Sequence, residues 1–304
     1  MPAAVKVRVP ATIANLGPGF DALGVAVRMH LEIDIEPRRD TVEIMVEGEG
    51  AEDLPLDEGN LVIRSMNAFF DHVARRPSGY AVRVRNPIPL ASGLGSSAAA
   101  VVGGLVVARA LTGRVVSQAE MVELACMLEG HPDNVIPALL GGLVVCYRAE
   151  KGEELRHFRL EASDRLVPII AVPRVGYSTA AARRALPKSV PLADAQFTAG
   201  RSALVVGALT TGAGTEILFE ALSDRLHQPA RLDLMPETAA VAAHLRAAGV
   251  PAALAGAGPS LVVVVPRPEA AMRAEQVRRV CRARDSGWRV YVSEWEPEGA
   301  TTDP

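Results

Sequence analysis

Lysine is almost missing from this chain: Lys6, Lys151 and Lys188 are the only three among 304 residues, so arginine carries the positive charge. Such usage fits a GC-rich genome or heat adaptation. No glycine is followed by lysine, so the chain has no Walker A loop. Aromatic residues make up 4% and the formal net charge is −3. Few rings to stack bases and no surplus of positive charge argue against nucleic acid as a partner. Cysteine is scarce too. Cys126, Cys146 and Cys281 are far apart, odd in number and free of C-x-x-C spacing, so neither a disulfide framework nor a thiolate metal site is implied. No apolar run reaches about 18 residues unbroken, and the start Met1–Lys6 lacks the charged-then-apolar block of a targeting signal. A cytoplasmic protein with no membrane partner is expected.

Hydrophobic residues account for 49% of the chain. With so few aromatics, the core must be built from Ala, Val, Leu and Ile. The length suits one large or two ordinary domains. Alternation predicts strands at 5–9, ending at Pro10, and at 24–36, with a polar loop over 11–22 between them. Further strands are expected at 42–46, 80–84, 143–147, 166–172, 252–255, 260–265 and 288–293. Helical spacing predicts 60–75, 96–112, 117–129, 135–140, 237–248 and 267–283, with helical material over 191–225. The polar run Arg148–Glu154 reads as a domain boundary, giving 1–153 and 154–304. The acidic tail 296–304 reads as frayed. Strands and helices mix in both halves, so the class is α+β in two domains.

The most informative stretch is Pro89-Leu90-Ala91-Ser92-Gly93-Leu94-Gly95-Ser96-Ser97, running into the small apolar residues 98–111. A glycine-rich loop entering a helix offers unpaired backbone N–H groups and the positive end of the helix dipole to an anion. A serine hydroxyl beside phosphates can also ligate Mg²⁺. The same letters fit an ordinary N-capped helix after a tight turn. The Rossmann spacing fails at Ala98.

Four other clusters carry polar chemistry. Thr12, Asn15 and Asp21 share a Gly/Pro-marked loop, read either as Asx turns or as a binding loop. Glu129-Gly-His131-Pro-Asp133-Asn134 packs four functional side chains into six residues. A glutamate there can hold Mg²⁺, an aspartate can take a proton from a hydroxyl, and Asn134 can cap the next helix. Arg183 and Arg231 sit in polar loops, as solvated charges or as a clamp for a carboxylate. Ala255-Gly256-Ala-Gly258-Pro-Ser260 is a second glycine turn, a hairpin or a place where backbone meets a ligand.

In this order, the clusters resemble the GHMP kinases. Residues 89–98 match that family's Pro-x-x-x-Gly-Leu-Gly-Ser-Ser-Ala motif throughout, and the resemblance spans roughly residues 5–265. The opening 7–24, with 129–135 and 255–260, is most similar to the members that phosphorylate homoserine. The resemblance implies an N-terminal domain with a left-handed βαβ unit and a ferredoxin-like C-terminal domain. It implies MgATP-dependent phosphorylation of L-homoserine to O-phospho-L-homoserine on the route to threonine. ATP phosphates are implied to lie on residues 89–97, and Mg²⁺ on Ser97 and Glu129, with Glu123 the other candidate. The amino-acid pocket is implied at Asn15, Asp21, His131, Asn134, Arg183, Arg231 and Gly258. Asp21 takes the ammonium, the arginines take the carboxylate, and Asn134 orients the hydroxyl. Asp133 is a modest base, because a loose phosphoryl-transfer transition state needs positioning more than deprotonation. The family's usual lysine partner is absent, its place falling at Thr12. Another kinase of the family, such as one acting on mevalonate, and a non-catalytic sensor on the same scaffold are the alternatives. A monomer or homodimer is expected.

Overall fold

The computed structural model describes residues 5–151, 154–285 and 287–303. The first four residues of the N-terminal stretch read above, and part of the polar run at 148–154, lie outside them. Six strands come first: β1 (Val5–Ala14), β2 (Leu23–Pro37), β3 (Val42–Gly48), β4 (Tyr80–Asn86), β5 (Leu143–Arg148) and β6 (Leu155–Leu160). β2 is the hub. Its inward residues Val25, Val27, Leu31, Ile33 and Ile35 are buried, as period-two alternation requires. It pairs antiparallel with β1, while its start pairs with β5 and its end with β4. β3 and β4 are parallel, joined through α1 (Leu61–His72), which makes the βαβ unit.

Three more helices cover this sheet: α2 (Ser96–Thr112), α3 (Gln118–Glu129) and α4 (Pro132–Leu140). Asn60 caps α1 through its side chain, and Ser117 with Glu120 closes a capping box on α3. α2 is made of small apolar residues and is buried along almost its whole length among α1, α3, α4 and β1. Those small side chains let it sit at the centre of the domain.

The second sheet holds β7 (Leu166–Val172), β8 (Ala252–Leu254), β9 (Leu261–Pro266) and β10 (Arg289–Val292) in the order β10-β7-β9-β8. All its pairings are antiparallel. Between β7 and β8 run α5 (Thr179–Arg184), α6 (Leu192–Thr211), α7 (Thr215–Ala221), α8 (Gln228–Asp233) and α9 (Pro236–Ala247); α10 (Ala270–Arg282) connects β9 to β10. This βαββαβ succession with strand order 4-1-3-2 is the ferredoxin-like arrangement. β7 is buried on both faces and divides two cores by alternation. Ile170 and Val172 join the large core of the first domain, while Val167, Ile169 and Ala171 join the core under α9 and α10.

Several expectations change. β1 does not stop at Pro10; a register shift between Pro10 and Ala11 absorbs the missing N–H, and pairing continues to Ala14. The boundary expected at 153/154 falls inside the β5–β6 hairpin, so the first sheet runs on to Leu160. The described part of the tail is not frayed. Trp295 is buried, Ala300 N–H donates to Leu139, and β11 (Thr301–Asp303) pairs with β1. The helical block 191–225 is broken into α6, α7 and the approach to α8. No helix among the described residues is long and apolar enough to cross a membrane.

Candidate active site

The loop 89–97 lies where the two domains meet. Thr12 N–H donates to the Leu94 carbonyl at 3.1 Å, Ser260 N–H to Ser92 at 3.1 Å, and Tyr177 N–H to Ala91 at 3.0 Å. The backbone is left-handed at Ala91, Gly93 and Gly95. A Cβ at Gly93 would stand 2.1 Å from the Ala255 carbonyl oxygen, and one at Gly95 2.0 Å from Thr12 Oγ1. Both positions therefore need glycine. α2 begins at Gly95 with no side-chain cap. The ordinary capped helix is thus not what these letters build; the first N–H groups of α2 are left without a side-chain acceptor, and a phosphate oxygen can take them.

A line of oxygens and one imidazole runs from that helix start. Ser97 Oγ donates to Glu129 Oε2 at 2.6 Å. Glu129 Oε1 is 3.9 Å from His131 Nε2, and His131 Nδ1 is 2.9 Å from Asp133 Oδ1. Burial pushes the Glu129 carboxyl above its ordinary range, against the pull of Ser97 and His131. The hydrogen bond to Asp133 raises His131, with the charges of Asp133 and Glu129 adding. Glu123 is exposed on α3, so Glu129 is the glutamate that reaches Ser97. Asn134 lies in the first turn of α4 rather than at its cap, which is His131, and accepts from Thr12 Oγ1 at 2.8 Å.

The remaining polar residues come from both domains. Asp21 and Arg183 form a bidentate pair, with contacts of 2.9 and 3.1 Å. Arg183 sits on α5 and Arg231 on α8, not in loops. Arg231 is 2% exposed, so it is no solvated charge. Its Nη1 donates to His227 Nδ1 and to the Gly256 carbonyl, both at 3.1 Å, while its Nε is buried with no partner among the described residues. Burial lowers its pKa, and the charges of Asp21, Arg183, Asp133 and Asp224 all act on it. Arg231 therefore shares one electrostatic neighbourhood with Asp21, Arg183 and Asp133. Asn15 is already committed: Nδ2 donates to the Gly256 carbonyl at 2.8 Å and Oδ1 accepts from Asp21 N–H at 3.0 Å. Gly258 is buried in the β8–β9 turn, and its carbonyl faces the Gly93 backbone.

The family models for the GHMP kinase N-terminal domain and the GHMP kinase C-terminal domain match residues 60–142 and 206–283. The chain belongs to the GHMP kinase family. It is 42% identical to the homoserine kinase of Streptomyces avermitilis, over 99% of this chain and 96% of that one. It is 45% identical to the homoserine kinase of Moorella thermoacetica, over 84% of this chain and 86% of that one. The crystal structure of homoserine kinase from Cytophaga hutchinsonii superposes with a TM-score of 0.87 at 29% identity, covering 100% and 98% of the two chains. L. major mevalonate kinase, at 17% identity and a TM-score of 0.72, covers 97% of this chain and 96% of its own, and shares the fold.

Within this GHMP kinase, hydrogen bonds and ion pairs link Asn15, Asp21, Arg183 and Arg231 on one side and Ser97, Glu129, His131 and Asp133 on the other, with two differences from the expected contacts. Asp21 and Arg183 satisfy each other, and the Asn15 amide braces backbone. Sequence reasoning missed His227. Its signal was the spacing His227-Gln-Pro-Ala-Arg231, which puts both side chains on one face of a helical turn.

Proposed function

We propose that this chain is an ATP-dependent homoserine kinase. The γ-phosphorus of ATP loses its bond to the β–γ bridging oxygen and gains one to the side-chain hydroxyl of L-homoserine. ADP and O-phospho-L-homoserine leave, and the hydroxyl proton departs with Asp133 as a modest acceptor. The names of the relatives support the reaction class. Arg231 carries the substrate reading: a buried guanidinium with an unpaired donor, set in one charge cluster with Asp21 and Arg183. An amino acid supplies the complementary groups, its carboxylate for the arginines and its ammonium for Asp21, and so opens the Asp21–Arg183 pair. Mevalonate and galactose have no ammonium to offer Asp21.

The phosphates take the N–H groups of residues 92–97, and Asn134, steadied by Thr12, orients the hydroxyl. The hydroxyl of Ser97 and the carboxylate of Glu129, in contact at 2.6 Å, fit Mg²⁺, which takes few protein oxygens when phosphates complete its shell. Bound there, Mg²⁺ neutralises phosphate charge. The thiols of Cys126, Cys146 and Cys281 are each pushed up to about 12 by burial, so they stay protonated.

The test is a coupled ADP-release assay with L-homoserine, mevalonate, galactose and shikimate. Turnover is expected with L-homoserine well above the others. Turnover with another acceptor at an equal or higher rate would overturn the reading.

A further inference from the structure

His227 lies immediately before α8, four residues ahead of Arg231, with no exposed surface. Its ring makes two directional hydrogen bonds. Nε2 is 2.7 Å from the Gly17 carbonyl, and Nδ1 is 3.1 Å from Arg231 Nη1. A carbonyl only accepts and a guanidinium only donates, so Nε2 carries the proton and Nδ1 accepts. The ring is neutral, and burial favours the same form. It stacks on Phe20 at 5.1 Å between centroids and 21° between planes, and the Phe20 ring also lies 5.3 Å from the Arg231 guanidinium carbon. Asp224 fixes the turn below, accepting from His227 N–H at 2.9 Å and Gln228 N–H at 2.8 Å.

These contacts decide how Arg231 is presented. Nη1 has two protons; His227 takes one and the Gly256 carbonyl takes the other. What remains is the edge formed by Nε and Nη2, whose Nε is buried without a partner among the described residues. That edge is a side-on fork for a carboxylate. Through Gly17 and Phe20 the same imidazole grips the loop that carries Asp21. A space-filling Phe or Leu would give burial alone, whereas a buried imidazole with both nitrogens satisfied fixes orientation.

We infer that His227 is a positioning residue for substrate selection: it turns the Nε/Nη2 edge of Arg231 toward the amino-acid carboxylate and holds that edge in register with Asp21. This rests on the homoserine kinase reading. It concerns the selection of the carboxylate and leaves the phosphoryl step to other groups.

Two variants separate the ring's two bonds. His227→Asn keeps an acceptor near the Nδ1 position, and His227→Gln keeps a donor near Nε2. The readouts are kcat and KM for L-homoserine, KM for ATP, and kcat/KM for 3-aminopropan-1-ol, which has the same hydroxyl and amine but no carboxylate. For His227→Gln, KM for L-homoserine is expected to rise about tenfold, the scale of one hydrogen bond to a charged group. KM for ATP stays put, and the preference for L-homoserine over 3-aminopropan-1-ol shrinks by the same factor. His227→Asn keeps most of that preference. Should His227→Gln fail to fold, Phe20→Leu removes the ring against which His227 and Arg231 both pack, and a smaller loss of the same preference is expected. Wild-type preference in His227→Gln or Phe20→Leu, or a parallel rise in KM for ATP, would overturn the inference. A wild-type enzyme with no preference for L-homoserine over 3-aminopropan-1-ol would overturn the functional reading itself, and the inference with it.

Discussion

Residues 89–97 present their backbone where the two domains meet, in one continuous stretch, braced by β1 on one side and the β8–β9 turn on the other. The proposed amino-acid pocket is made of side chains drawn from both domains; Asp21 and Arg183 are 162 positions apart yet form one ion pair. The phosphate side depends on the absence of side chains at Gly93 and Gly95. The other side depends on the identity and aim of a few. Phosphate is common to every ATP-dependent kinase, and a backbone cradle serves it whatever the acceptor. Selecting an amino acid needs opposite charges at a set spacing, which only side chains provide. The two regions should therefore break in different ways.

The largest effect is expected for Gly93→Val. Its Cβ would lie 2.1 Å from the Ala255 carbonyl, at a φ of +85°. Turnover should drop by about a thousandfold or more, with KM for both substrates disturbed and a lower melting temperature. Arg231→Ala comes next. It removes a buried guanidinium and orphans the acceptor on His227 Nδ1, while the Gly256 carbonyl keeps its bond from Asn15, so kcat/KM for L-homoserine should fall by about 100- to 1,000-fold. KM for ATP should not follow. Ser97→Ala should lower kcat by about a hundredfold with little change in KM for L-homoserine, as loss of charge stabilisation does. Arg183→Ala should raise KM for L-homoserine by only about tenfold, because its side chain is 45% exposed and its pairing is screened by water. Asp133→Asn should be the mildest, less than about tenfold in kcat. A loss in Asp133→Asn matching that of Ser97→Ala would mean that deprotonation, not positioning, limits the reaction.

The same contrast explains what could be read from the chain before its structure. A contiguous backbone site leaves contiguous letters, so Pro89–Ser97 was legible, and so was the cluster Glu129–Asn134 on either side of the α3–α4 junction. Period-two alternation revealed β2, and a short continuous apolar run revealed β7, because burial on one sheet face or on both leaves those two imprints. The partnership of Asp21 with Arg183, and the burial of Arg231, left no local trace; an arginine reads as solvated unless the fold closes over it. His227 was overlooked because its four-residue spacing to Arg231 gains meaning only once its two ring hydrogen bonds are seen. β6 and β11 were missed for a related reason. Each is short and lacks a buried apolar face, and pairing with an existing sheet edge, rather than propensity, makes it a strand. Pro10 argued for a strand end, yet a register shift let β1 continue past it.

The separation of the two regions is tested most directly by equilibrium binding to Arg231→Ala, measured by calorimetry with a non-hydrolysable ATP analogue and with L-homoserine. The nucleotide dissociation constant should stay within about threefold of wild type, while L-homoserine binding weakens by about a hundredfold or more. A fall in nucleotide affinity matching the loss of L-homoserine would contradict the account.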